Sequence, residues 1–242
     1  MPVATIAHDS WAEVYDLAYQ RPFGSAYLML TDRTVRYVTD RVTRNASIID
    51  FGAGTGRLCL PLASLGYQMT AVDASQAMLA QLQRKDSGRI RCITSHVQDY
   101  QGDQLFDAAL CVFSVFSYLT TEDSLVAALK AMYASLKPGG MLLLDIPQRA
   151  VFADLRYEDH ELMRHFTVTQ VADDLYDFHQ EIIVHSEGSR RRYDDHFSIR
   201  YWSPETIRDL LTVTGFSLME DASLHFQGTG AHYWLVQRDT QT

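Results

Sequence analysis

The chain has 242 residues, enough for one large α/β domain with a substantial core. Its formal net charge of −9 argues against a nucleic-acid partner, which would favour a basic face. Hydrophobic residues make up 47% of it, yet no apolar run reaches the roughly 18 residues that suggest a membrane span. The stretch Met1–Trp11 has no basic segment leading into an apolar one, so no signal peptide is expected. Cys59, Cys92 and Cys111 stand apart among apolar neighbours without zinc spacing. They read as buried free thiols of a reducing compartment, so a cytoplasmic location and no metal site are expected.

In chain order, residues 8–43 are amphipathic and helical in spacing. Trp11, Val14, Tyr15, Ala18 and Tyr19 share one face, Arg21-Pro22-Phe23-Gly24 interrupts, and a longer helix follows through Tyr27, Leu30, Val35, Val38 and Val42. A helical segment ahead of the first strand either packs on the sheet edge or closes over a ligand as a lid; a lid over residues 1–46 is the expectation.

Ile48-Ile49-Asp50 reads as the end of a buried parallel strand. Gly52, Gly54 and Gly56 then lead into a helix starting near Thr55. Such a turn puts bare backbone N–H groups and a helix N-terminus at one sheet edge, where a Cβ would block the approach of a ligand. A dinucleotide fingerprint would have its third glycine at position 57, which is Arg57, and no Gly-Lys-Ser/Thr tripeptide marks a phosphate loop. The pattern is Asp-x-Gly-x-Gly-x-Gly, which resembles motif I of the class I S-adenosylmethionine-dependent methyltransferases. The resemblance implies a Rossmann-like, doubly wound, seven-stranded and mostly parallel sheet, with the cofactor's methionine part held along Asp50, Gly52, Ala53, Gly54, Gly56 and Arg57. Tyr15-Asp16 resembles a "YD" element that precedes motif I in small-molecule members. It implies Tyr15 near the transferred methyl group and Tyr19 near the cofactor.

Gln68 to Asp73 is the next strand. It ends on an acid, and a carboxylate there can accept both hydroxyls of a ribose, which makes Asp73 the expected ribose ligand beside Ala74. Ser75 is the natural cap of the helix that follows, and Met78 matches a position that packs on adenine in the family. Strand three, Arg89 to Thr94, leads to His96-Val97-Gln98, where the family clasps adenine. His96 stands where an acid is usual, and it accepts a hydrogen bond only when neutral. Strand four, Leu105 to Phe113, is apolar and so buried on both faces, and it ends with Val112 and Phe113 beside the cofactor. Ser114-Val115-Phe116-Ser117-Tyr118-Leu119 lacks the Asn/Asp-Pro-Pro-Tyr/Phe of enzymes acting on planar amines. It resembles a segment of aminosugar and glycine-sarcosine N-methyltransferases, with Tyr118 in the place of a histidine. Asp123 to Leu136 is helical, Lys137-Pro138-Gly139-Gly140 reads as its cap and a turn, and Met141 to Ile146 is strand five. The resemblance is good over residues 48–146.

From 149 to 202 the alternation of strand and helix stops. Leu162–Val171, Leu175–Ser186 and Arg191–Tyr201 read as three antiparallel strands, joined by Asp173-Asp174 and Glu187-Gly188-Ser189 turns, inserted over the carboxyl ends of the core strands. They supply His179 as a catalytic candidate, and His196, Arg200 and Trp202 as substrate-binding candidates. Ser203-Pro204 opens a last helix ended by Gly215, and a hairpin over about 217–237 closes the sheet. The domain organisation expected is one methyltransferase domain: lid 1–46, cofactor core 47–148, β insertion 149–202, terminal helix and hairpin 203–242. The activity expected is methyl transfer from S-adenosylmethionine to an amine of a small-molecule acceptor, with no nucleic-acid or membrane partner and with homodimerisation open. A hydroxyl or carboxylate acceptor is the alternative, and a cofactor-binding protein without turnover is another.

Overall fold

The fold, taken from a computed structural model, is described for residues 6–186 and 188–240. Met1 to Thr5, part of the stretch read for a signal peptide, and Glu187 of an expected turn lie outside the described residues.

A 3-10 turn, Asp9–Val14, runs into helix α1, Tyr15–Thr39. The core then alternates strand and helix: β1 Ser47–Phe51, α2 Cys59–Ser64, β2 Gln68–Asp73, α3 Gln76–Lys85, β3 Arg91–Thr94, β4 Phe106–Cys111, α4 Glu122–Ser135 and β5 Leu136–Pro147. Four antiparallel strands follow: β6 Leu155–Glu158, β7 Leu162–Ala172, β8 Leu175–Ser186 and β9 Ser189–Arg200. Helix α5, Pro204–Thr214, and strands β10, Phe216–Asp221, and β11, Ala231–Arg238, complete the chain. The first sheet has seven strands in the order β10-β11-β5-β4-β1-β2-β3. Strands β1 to β5 pair in parallel, while β11 runs antiparallel between β5 and β10. The expected doubly wound sheet and antiparallel insertion are therefore present.

Alternate residues of each central strand enter opposite apolar layers. Ile48, Ala71, Ala108 and Leu110 face the layer of α2, α3 and the end of α1. Ile49, Phe51, Val72, Ala109 and Cys111 face the layer of α4 and α5. Both faces are covered, which is why these strands read as continuous apolar runs. A third cluster, Trp11, Val14, Ala18, Leu162, Ile182 and Val184, joins the N-terminal segment to the second sheet.

Four differences from the sequence reading have local causes. The Arg21–Gly24 interruption kinks one helix instead of separating two: Gly24 takes φ +43° and ψ −119° inside α1, and the helix resumes beyond it. The second half of α1 packs on the sheet, since Tyr37 and Val38 are buried with Ile48 and Ala71. The second sheet has four strands, because the short edge strand β6 pairs with β7 from Leu155↔Phe166 to Glu158↔Met163. Lys137-Pro138-Gly139-Gly140 is the irregular start of β5 and not a free turn: Gly139 has φ +78°, and the pairing with β4 shifts register between Phe106 and Ala108.

Candidate active site

The carboxyl ends of β1, β2 and β4 open into a cavity of about 980 Å³, roofed by the second sheet and the first half of α1. The glycine turn forms its floor. Gly52 and Ala53 both donate N–H to the Val72 carbonyl, at 2.8 and 3.1 Å, which pins the turn to β2. Gly52 and Gly54 line the cavity in left-handed conformations, φ +73° and +55°. A Cβ on Gly52 would collide with Val115. Gly56 lies below the cavity, where a Cβ would come within 2.8 Å of Leu82, so this glycine serves helix packing.

Three carboxyls surround this floor. Asp73, at the end of β2, accepts from Gly54 N and Ser75 N, each at 2.8 Å. A carboxylate offers about four acceptor positions, so these bonds orient Asp73 and leave capacity toward the cavity it lines. Enclosure pushes its carboxyl up, opposed by those two backbone bonds. Asp50 is buried beneath the turn, where it accepts from Cys59 Sγ at 3.3 Å; burial pushes its carboxyl up to about 7. Asp145 on β5 lines the cavity and is also pushed by burial to about 7. Its two oxygens accept from Ser114 N at 3.0 and 3.1 Å. Phe113 and Ser114 are successive left-handed residues, φ +77° and +65°, and this carboxyl holds that strained corner in place.

The upper wall is aromatic. Tyr15, Tyr19, Tyr27 and Phe113 stack in a chain with ring centroids 4.6–5.8 Å apart. Tyr118 is 38% exposed on the cavity side, and its hydroxyl lies 2.7 Å from His8 Nε2. The His8 ring is enclosed edge-on by Trp11, Tyr15, Tyr118 and Phe197. Burial, helped by Arg164, lowers its pKa to about 3, so it stands neutral. Enclosure raises both Tyr15 and Tyr118 well above the ordinary phenol range, so both stay protonated. Asp195 on β9 fixes the segment bearing His8: its Oδ2 accepts from His8 N at 2.7 Å and from Trp11 Nε1 at 2.8 Å.

The N-terminal segment is tied on both sides. Toward the core, Asp16 accepts from Thr55 Oγ and Lys85 Nζ, both at 2.6 Å, and Asp9 accepts from Ser75 Oγ at 2.6 Å. Toward the second sheet, Ala18 O accepts from Arg164 Nη1 at 2.8 Å.

Of the candidates named from sequence, Tyr15, Tyr19, Gly52, Gly54, Asp73, Ala74, Met78, His96, Val97, Gln98, Phe113 and Tyr118 come together around this cavity. His196 reaches only its rim, and its exposed ring shares the outer face of the second sheet with His179. Asp50, Ala53, Gly56, Arg57 and Val112 do not line it; they support the turn and strand ends from below or behind. Arg57 lies 4.8 Å under the Phe113 ring. His179 is not at the cavity: it is exposed on the outer face of the second sheet, opposite His196. Arg200 and Trp202 are also spent elsewhere. Arg200 Nε donates to Thr120 O at 2.7 Å, and Trp202 Nε1 donates to Leu119 O at 3.0 Å. They anchor the Val115–Tyr118 turn instead of facing a substrate. His8, Asp145, Arg164 and Gln180 line the cavity without having been singled out. Asp145 had a signal, an acid inside Leu142-Leu143-Leu144-Asp145-Ile146. Arg164 and Gln180 shared period-2 positions with Leu162, Phe166, Phe178 and Ile182.

Residues 48–140 match a family model described as a methyltransferase domain. The chain is 25% identical over 222 residues to the putative methyltransferase YqeM of Bacillus subtilis (strain 168), covering 87% of each. It superposes with a TM-score of 0.82 on an S-adenosylmethionine-dependent methyltransferase from Clostridium acetobutylicum ATCC 824, at 21% identity, covering 94% of this chain and 98% of that one. The sugar N-methyltransferase KedS8 from Streptoalloteichus sp ATCC 53650 superposes with a TM-score of 0.74, at 21% identity, over 99% of this chain and 98% of that one. The glycine cradle, the oriented acid at the end of β2 and the seven-strand order all fit one assignment. Residues 48–140 are a methyltransferase domain, and the chain as a whole has the Rossmann-like fold of its S-adenosylmethionine-dependent neighbours.

Proposed function

We propose that this methyltransferase acts on an amine of a small-molecule acceptor enclosed between the two sheets. When bound, S-adenosylmethionine supplies a methyl group on a sulfonium, whose sulfur departs as a neutral thioether and so is a good leaving group. The protein must then hold the nucleophile in line and exclude water, and alignment of that kind supplies up to roughly 7–11 kcal/mol of a barrier. In this reading Gly52 and Gly54 let backbone approach the methionine part, with Tyr19 and Phe113 beside it. Asp73 takes the ribose hydroxyls. Met78 and Val97 flank the adenine, and His96 and Gln98 stand at its edge. The N-terminal segment, held by Asp16 and Asp9 on the core, excludes water from above.

The observation that carries the amine reading is the protonation of the groups where Tyr118 meets His8. His8 stands neutral with its pKa near 3, and the phenols of Tyr15 and Tyr118 stay protonated. None of these is a strong base at neutral pH. A neutral amine brings its own lone pair and needs only orientation, whereas a hydroxyl needs a base. Tyr118 O–H donating to His8 Nε2 leaves the phenol oxygen free to accept from an amine N–H, which turns the nitrogen lone pair toward the methyl group. A hydroxyl acceptor is the second reading, favoured by Asp145, whose carboxyl at about 7 lines the cavity.

Formation of S-adenosylhomocysteine with matched panels of small amines and alcohols tests the two. The amine reading expects turnover of amines, with kcat/KM rising toward each amine's own pKa and no loss of that profile in Asp145→Asn. Turnover of alcohols abolished by Asp145→Asn would replace it with the second reading. Binding of the cofactor without turnover across both panels would leave a cofactor-binding protein.

A further inference from the structure

Arg164 is 3% exposed, yet among the described residues it has no carboxylate within ion-pair reach. Its Nε donates to Gln180 Oε1 at 3.0 Å and its Nη1 to Ala18 O at 2.8 Å. Nη2 has no hydrogen-bond partner among the described residues, and the group lies 4.3 Å over the Tyr19 ring. The bond from Nε also fixes the amide of Gln180: with Oε1 turned to the arginine, Nε2 points away, buried and without a partner. Both residues line the cavity. They share the inward face of the second sheet, Gln180 opposite Phe166 and Arg164 opposite Ile182. The acid on the same face, Asp195 on β9 opposite Gln180, engages His8 N and Trp11 Nε1 through Oδ2, keeps Oδ1 buried without a partner, and makes no ion pair with Arg164. Leaving a buried donor unmade costs about 1–3 kcal/mol, more for a charged group, so a buried guanidinium on the cavity wall, with Nη2 free and no carboxylate beside it, marks an acceptor that is supplied from outside.

We propose that Arg164, held in place by Gln180, forms the seat for a carboxylate of the acceptor, so that the substrate is an amine bearing a carboxyl group. The free Nη2 donates to a carboxylate oxygen, while Gln180 Oε1 and Ala18 O hold the other two nitrogens and fix the guanidinium in place. A diphosphate would bring at least two negative charges. Among the described residues the one other guanidinium lining the cavity is Arg33, whose Nη1 donates to Gln227 O at 3.0 Å, and Asp73 and Asp145 line it as acids, so a second negative charge would find no second free cation there. Arg164 is carried by the second sheet, against Tyr19, and not by the core strands that bear the glycine turn, so the seat is assigned to the acceptor and not to the methionine carboxylate of the cofactor. This inference rests on the methyl-transfer reading above for the identity of the acceptor.

The test uses protein saturated with S-adenosylhomocysteine and titrated calorimetrically with acid and amide pairs of two sizes, acetate with acetamide and benzoate with benzamide. The expected result is at least tenfold tighter binding of the acid in one pair or both, lost in Arg164→Gln, with affinity for S-adenosylhomocysteine changed less than threefold. Gln180→Glu is the second variant, because it places an internal carboxylate against Arg164 and keeps the side-chain shape. It is expected to fold and to lose the acid preference. Equal binding of acid and amide by the natural protein overturns the proposal, as does a preference that survives both substitutions. A tenfold loss of S-adenosylhomocysteine affinity in Arg164→Gln, with the acid preference intact, assigns the guanidinium to the cofactor instead. Failure of the natural protein to bind S-adenosylhomocysteine at all would strike the cofactor reading, and is seen separately in the first titration.

Discussion

Each of the three acids around the glycine turn has a different task, set by what surrounds it. Asp73 is oriented by Gly54 N and Ser75 N and keeps acceptor capacity toward the cavity. Removing a charged acceptor forfeits about 1.5–3 kcal/mol, so Asp73→Ala is expected to weaken S-adenosylmethionine binding roughly 10- to 100-fold by calorimetry. Unchanged affinity would show that the ribose sits elsewhere. Asp50 faces no ligand, and burial raises its carboxyl to about 7 from an ordinary 3.8. The folded state therefore holds a proton that the unfolded state gives up between about pH 4 and 7, and stability from this group falls as pH rises through that window. Asp50→Asn lacks the titration. Its stability relative to the natural protein, read by urea unfolding, should rise by about 2–3 kcal/mol between pH 5 and pH 7.5. A pH-independent difference would mean that Asp50 is charged in the fold. Tyr118→Phe removes only the hydroxyl facing His8. It is expected to lower kcat about 5- to 10-fold while leaving cofactor affinity alone; a fall in cofactor affinity with kcat intact would move Tyr118 to the other side of the reaction.

At the scale of elements, the N-terminal segment is a strap and not a simple flap. Asp9 and Asp16 grip the cofactor half, and His8 and Trp11 grip Asp195 on the second sheet. Gly24 divides the strap from the half of α1 that packs on the sheet, and it does so with a backbone that L side chains rarely adopt. A Cβ there meets nothing within 4 Å, so Gly24→Ala isolates backbone strain from crowding. The change should cost about 1–2 kcal/mol in urea unfolding, and a neutral result would show that α1 runs straight in solution. The sequence displayed the glycine turn and Asp73 because their chemistry is local: a strand, three glycines and an acid closing the next strand. It displayed the strands of the insertion but not which side chains face in. Phe178 and Gln180 point to the cavity, so His179 between them points out, a matter of one residue in a period of two. His8 meeting Tyr118, and Arg164 meeting Ala18, join residues separated by 110 and 146 positions, which no local spacing encodes.

Over the whole molecule, three apolar clusters divide the work. Two hold the seven-stranded sheet between its helices, and the third holds the second sheet to the strap above the carboxyl ends of β1, β2 and β4. The cavity is thus enclosed by parts that are each stabilised apart from it, which lets its walls keep a buried guanidinium and strained backbone at Phe113 and Ser114. No helix among the described residues is long and apolar enough to cross a membrane. The central claim is that the glycine cradle and Asp73 hold S-adenosylmethionine. Calorimetric titration of the purified chain with S-adenosylmethionine, S-adenosylhomocysteine and NAD tests it most directly. Micromolar binding of the first two and none of NAD is the expected result. Binding of NAD alone, or of none of the three, would contradict the account.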